Sequence, residues 1–373
     1  MSTKNKILLF LLVGILIRII FWIARFTFYD TDTLSHMRYT EKFMNFEIPE
    51  LGWIGARDQL GYSMEAYPPF INLIAASFAV LVEHTFFFDF VPKITTLVFS
   101  IMILLVAAIF SLRVKNPHIM GLVSIMPLEW FHVIPNFNND IAVAFFISMA
   151  FLVSLRKITL KSTILISLFT SLALLSKYTA VIFALAVAIY LGLNSRNLKF
   201  VLIFIAMTTL IASPWYARNL LLYGDPLFIP SLRHTAEYFY TVGIGPIIDH
   251  YIRGFYPICN LGYAEDFIML YEIPFILFFI IRGLETKFKH MITSRGVELV
   301  TLFLPILVIN WIAVRYIYPD VASGKYLVAA ILPFSIVISS GINATFGAKE
   351  KYPFLFIYLG FIIAFISVLA NNC

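Results

Sequence analysis

Charge is what this chain has least of. Asp, Glu, Lys and Arg make up 13% of its 373 residues, where soluble domains carry about a quarter. With 61% hydrophobic residues and a mean hydropathy of +0.89, a soluble globular domain is excluded. Cysteine is scarce as well: Cys259 and Cys373 are too few for a disulfide framework and leave the redox compartment open. Long polar stretches are also missing. The two longest, 29–69 and 224–266, run about 40 residues, so no water-soluble domain is expected beside the membrane body.

What fills the chain is apolar sequence, in runs of roughly 17–22 residues that can each cross a ~30 Å hydrocarbon core as a helix. Candidate spans are 7–28, 70–88, 92–112, 119–135, 139–155, 160–176, 178–193, 198–220, 267–282, 297–318, 325–345 and 352–370. The expected fold class is all-α: a polytopic helical membrane protein. Two outer-face loops are expected to carry short interfacial helices. The first run continues through Arg18 to Tyr29 without a small-residue cleavage site, which favours a retained anchor over a signal peptide.

The net charge of +6 sits mostly in short connectors: Lys4/Lys6, Arg113/Lys115, Arg156/Lys157/Lys161, Arg196/Lys199, Arg282 to Arg295, and Lys349/Lys351. There it reports orientation and not nucleic-acid binding, and the positive-inside rule puts these connectors in the cytosol. Between Lys4 and Lys115 the number of crossings must then be even, yet three candidates lie there. The weakest is 70–88, whose apolar run is broken by Glu83-His84. Reading it as re-entrant or interfacial leaves about 11 transmembrane helices, with the N-terminus cytoplasmic and the chain multi-pass in the cell membrane. A bent, non-spanning 119–135 (Pro127, Glu129, Pro135) is the competing repair.

This topology places several polar groups on one outer face. Asp30 and Asp32 follow the first span, where a carboxylate suits a general base and hard oxygen ligands suit a divalent cation; an ordinary solvated helix end is the other reading. Glu65 precedes Tyr67-Pro68-Pro69, which stiffens the chain as it re-enters the membrane. Asn138-Asn139-Asp140 interrupts two apolar runs, either as a hairpin tip in water or as groups needing partners at depth. Lys177 stands alone between apolar stretches, as a phosphate partner or as a lysine snorkelling to a headgroup. Arg218 and Asn219 close a string with a proline kink, aromatics and a Gly-Asp-Pro turn, and the arginine's fork suits a phosphate. Arg18 lies in mid-span, where a cation is costly, and is expected to face the bundle interior.

In order, the acidic motif after the first helix, Tyr67-Pro68-Pro69, the Asn139-Asp140 pair, LSKYTA (175–180) and PWYARNLLLYGDPLF (214–228) resemble the membrane-embedded type C glycosyltransferases. The nearest groups are the protein O-mannosyltransferase kind and the lipid A aminoarabinose transferase kind, over about residues 7–225. The resemblance implies a division into 1–225, a glycosyltransferase membrane core with outer loop 29–69, and 226–373, with outer loop 226–266 and C-terminal helices, in one integral unit. It also implies inverting transfer from a polyprenyl- or dolichyl-phosphate sugar donor to a lipid, glycan or protein acceptor. Asp32, then Asp30, matches the catalytic base by position. Glu65, Tyr67, Asp140, Lys177, Arg218 and Asn219 become substrate-binding candidates. A secondary transporter or lipid flippase is the alternative, and a non-catalytic scaffold subunit a third.

Overall fold

The computed structural model describes residues 1–24, 31–48, 68–81, 90–125, 137–154, 157–195, 197–224, 226, 276, 278–285, 331–347 and 352–359. Among these every regular element is helical: α1 (Thr3–Ala24), α2 (Thr31–Met44), α3 (Phe70–Leu81), α4 (Val91–Val114), α5 (Pro117–Ile125), α6 (Asn139–Ser154), α7 (Leu160–Ser176), α8 (Val181–Ser195), α9 (Leu198–Tyr223) and α10 (Ile331–Phe346). A single 3-10 turn, Tyr178–Ala180, joins α7 to α8. Helical residues 278–285 and 352–359 complete the set.

The helices wear their apolar side chains outward. On α1, Leu8, Leu9, Leu12, Leu16, Ile19, Ile20 and Ile23 are exposed, whereas Ile7, Gly14, Arg18 and Phe21 form the buried stripe. Such a surface is stable only against hydrocarbon. The helices are long enough for it: α1, α4, the stretch Tyr178–Ser195 and α9 each have the length and composition of a membrane span. The chain is a polytopic α-helical membrane protein.

Direction follows from the contacts. Trp22 donates to the Lys93 carbonyl (3.3 Å) and Arg18 to Ser100 Oγ (2.8 Å), so α1 and α4 run antiparallel. The Asn138 N–H reaches Thr96 Oγ1 (3.4 Å), and Phe110 packs on Phe151 further along, which makes α6 parallel to α4. Lys177, just past α7, meets Asp140 at the start of α6. Tyr216 donates to the Leu174 carbonyl (2.7 Å) and Ser171 to the Thr208 carbonyl (3.5 Å), setting α9 parallel to α7. One end of the bundle therefore carries Lys4, Lys6, Arg113, Lys115, Lys157, Lys161 and Lys199. The opposite end gathers the end of α1, the starts of α4 and α6, Lys177 and the end of α9. The chain leaves α1 and enters α4 at that same opposite end. The described apolar helix between them, α3, has 12 residues and rises only about 18 Å; residues 82–89 lie outside the described residues.

Hydroxyls and glycines let the helices approach. Along α7, Ser167 and Ser171 donate to carbonyls four residues back, so they pack as small groups while staying bonded where no water is available. Pro214 inside α9 deprives the Leu210 carbonyl of its helical donor, and Ser213 Oγ supplies one at 3.4 Å. Gly224 closes α9 with φ of 71°, its N–H on the Leu220 carbonyl at 2.9 Å. Residues 278–285 pack closely on α10: a Cβ on Gly341 would stand 2.1 Å from the Phe279 carbonyl oxygen and 2.8 Å from the Gly283 nitrogen. Backbone cannot yield as a side chain does. Gly341→Val is expected to cost about 1–3 kcal/mol or more, read as a lowered thermal midpoint of the detergent-solubilised protein; an unchanged midpoint would mean that the two helices are not packed this way.

Candidate functional site

The site end is built around the start of α6. Asn138 is its N-cap: the side-chain Oδ1 accepts the Asp140 N–H at 2.8 Å. The preceding N–H, of Phe137, donates to Thr33 Oγ1 of α2 at 3.2 Å, and the His36 ring packs edge-on against Phe137. Together with the Asn138–Thr96 bond, these contacts stitch α2, α4 and α6 into one polar junction. Asp32 is the second residue of α2 and the immediate neighbour of Thr33, so the structure brings its backbone to this junction. Asp30, Glu65 and Tyr67 lie outside the described residues.

On the other side of α6, Asp140 is locked to Lys177. The Lys177 ammonium donates to both carboxylate oxygens, at 2.9 and 2.8 Å, with the lysine 8% and the aspartate 4% exposed. Neither a hairpin tip in water nor a snorkelling lysine describes this arrangement. The chain reaches it by breaking the helix: Lys177 is extended (φ −159°, ψ 138°) between α7 and the 3-10 turn. In a low-dielectric interior each ion would be intolerable alone, and the bidentate geometry is what holds the pair there.

Arg218 and Asn219 occupy the last turns of α9 at the same end. The guanidinium lies 4.5 Å from the Trp215 ring centre and donates to Asn219 Oδ1 at 3.1 Å, while Asn219 is buried. Tyr216, between them and the kink, ties this segment to Leu174, three residues before Lys177.

Arg18 belongs to the scaffold. It donates to Ser100 Oγ and to the carbonyls of Gly14, Val123 and Ser124 at 2.8–3.2 Å, crossing from α1 to α4 and to the last turn of α5. Carbonyls at a helix C-terminus are natural partners for a cation. This supplies the partners that the sequence left open.

One cation escaped the sequence reading. Lys93, in the first turn of α4, is fully buried one turn from Thr96. The signal was available: a lysine just after Pro92 sits at the positive end of the helix dipole, where cations are disfavoured without a reason.

As for a metal, no group of three or more His, Cys, Asp or Glu among the described residues is placed to hold one. The buried carboxylate nearest the junction, Asp140, already has both oxygens on Lys177.

No protein-family model matches the sequence, and no curated protein matches it. Solved structures do. The chain superposes on ArnT of Cupriavidus metallidurans bound to undecaprenyl phosphate with a TM-score of 0.60 and 11% identity, over 99% of this chain and 78% of that one. It superposes on the Archaeoglobus fulgidus oligosaccharyltransferase in its apo form with a TM-score of 0.61 and 14% identity, over 98% of this chain. The same enzyme complexed with Zn and sulfate gives the same score. The chain spans only 56% and 53% of those two structures. At such identities the likeness is one of fold, and it agrees with the motif order: the chain has the fold of the type C membrane glycosyltransferases.

Proposed function

We propose that the chain is a glycosyltransferase moving a sugar from a polyprenyl- or dolichyl-phosphate donor to an acceptor hydroxyl on the extracytoplasmic side. One observation carries the reading: in a fold shared with enzymes of this class, the start of α2 with Asp32, the buried Lys93, the Asp140–Lys177 pair and the Arg218 segment all come to one end of the bundle. The opposite end is the basic one, so the positive-inside rule turns the site outward.

In the proposed reaction the acceptor oxygen attacks the anomeric carbon as Asp32 takes its proton. The bond from that carbon to the phosphate oxygen breaks on the opposite face, and the lipid phosphate departs with the electron pair. A phosphate monoester needs little general acid. It needs cations where its charge collects, and Lys93 and Arg218 are of that type, with Lys177 acting through its pair with Asp140. Asp30, Glu65, Tyr67 and Asn219 complete the proposed substrate contacts.

The test is reconstitution of the purified protein with a radiolabelled polyprenyl-phosphate pentose or hexose, followed by recovery of label in lipid, glycan or peptide acceptors. Label in an acceptor, with release of the lipid phosphate, supports the reading. Uptake of a solute into the vesicles without any sugar transfer would instead establish a transporter.

A further inference from the structure

Asn139 stands in the first turn of α6, 1% exposed, and neither its side-chain oxygen nor its nitrogen has a hydrogen-bond partner among the described residues. Its neighbours on both sides are fully employed: Asn138 caps the helix and Asp140 binds Lys177. A desolvated amide left open at both ends is a standing cost, larger still where lipid, not water, surrounds the bundle.

Helix geometry shows which way it lies. Asn139 is seven residues before Phe146, two turns along the same face, and Phe146 packs on Phe99 of α4 and Phe70 of α3. Asp140 falls on the face turned to α7. Asn139 is therefore on the α3–α4 side of α6, the side on which the Asn138 N–H meets Thr96 and on which Lys93 is buried one turn away. Asn72 of α3 is a second open group: its Nδ2 donates to the His36 carbonyl and to Thr40 Oγ1, while its Oδ1 has no partner among the described residues.

We propose that Asn139, with Asn72 beside the same junction, binds hydroxyls of the transferred sugar and thereby sets which donor is accepted. This rests on the glycosyltransferase reading. The chemistry selects the ligand. An amide presents one acceptor oxygen and two donor hydrogens side by side. A phosphate, being all acceptor, would use the nitrogen and leave the oxygen unpaired. A sugar hydroxyl both donates and accepts, so a pair of them engages both the oxygen and the nitrogen of Asn139, and the lone Asn72 oxygen takes one more hydroxyl hydrogen. A site that hydrogen-bonds a hydroxyl also rejects an analogue lacking it, because its own buried groups are then left unpaired.

The experiment compares wild type with Asn139→Leu, of similar size and without the amide. Thermal unfolding is measured alone, with a short-chain polyprenyl phosphate, and with the same lipid phosphate bearing its sugar. The wild type is expected to gain more from the sugar-bearing lipid than from the bare one. Asn139→Leu is expected to unfold no earlier than wild type without ligand, to respond equally to both lipids, and to lose transfer 100-fold or more. Transfer by Asn139→Leu at the wild-type rate, or with an unchanged preference for the sugar-bearing lipid, overturns the inference and leaves the glycosyltransferase reading intact. So does an earlier unfolding of the variant, which would mean that the amide is a bonded structural group. A wild type that neither transfers sugar nor responds to either lipid overturns both.

Discussion

Lys177→Met is expected to destabilise the folded protein by about 3–5 kcal/mol, because it strands the Asp140 carboxylate in a site that is only 4% exposed. Removing the carboxylate as well should restore most of that loss: in Asp140→Leu/Lys177→Met no buried charge remains, and an apolar pair of similar volume is often neutral or stabilising against a buried ion pair. Chemical or thermal unfolding of the two single variants and the double variant in one detergent measures this. The result separates two roles for the lysine. If Lys177 served chiefly as a loose phosphate partner, Lys177→Met would keep its stability and lose donor affinity, and the double variant would recover nothing. The 2.8 and 2.9 Å contacts to both carboxylate oxygens argue for the first outcome.

The same pair shows where sequence reading ends. That Lys177 and Asp140 mattered was legible, since a lone charge between apolar runs demands an explanation. That each explains the other was not. One opens α6 and the other follows the end of α7, and only the antiparallel register of α6 and α7 makes them neighbours. Arg18 repeats the lesson, because its partners include backbone carbonyls of α5, which leave no trace in composition. The membrane class, the positions of α4 and of α6 to α9 and the shared end were legible, because hydropathy, length and the basic connectors all obey the bilayer and not the details of packing. Lys93 was passed over because its neighbours looked like an ordinary span boundary; Asn139 was legible as one of three polar groups needing partners at depth, but an unbonded amide is visible only in the structure.

Asp32→Asn is expected to reduce transfer by about 100- to 10,000-fold, the range of a positioned general base, while the binding of the lipid-phosphate donor stays near that of wild type. The residue's place supports the assignment. It sits in the first turn of α2, where a carboxylate is favoured by the helix dipole, and next to Thr33, whose hydroxyl holds the Phe137 N–H at the mouth of α6. An amide of the same shape cannot take a proton. Three measurements decide the matter: single-turnover transfer, donor affinity by thermal shift, and the unfolding midpoint. A fall in all three would make Asp32 a structural residue of α2. A fall in affinity alone would make it a donor ligand. Only lost turnover with preserved affinity and folding fits a base, and the same triple applied to Asp30→Asn then tells which of the two acids takes the proton. Full transfer by Asp32→Asn would remove it from the chemistry and leave Asp30 as the acid to test.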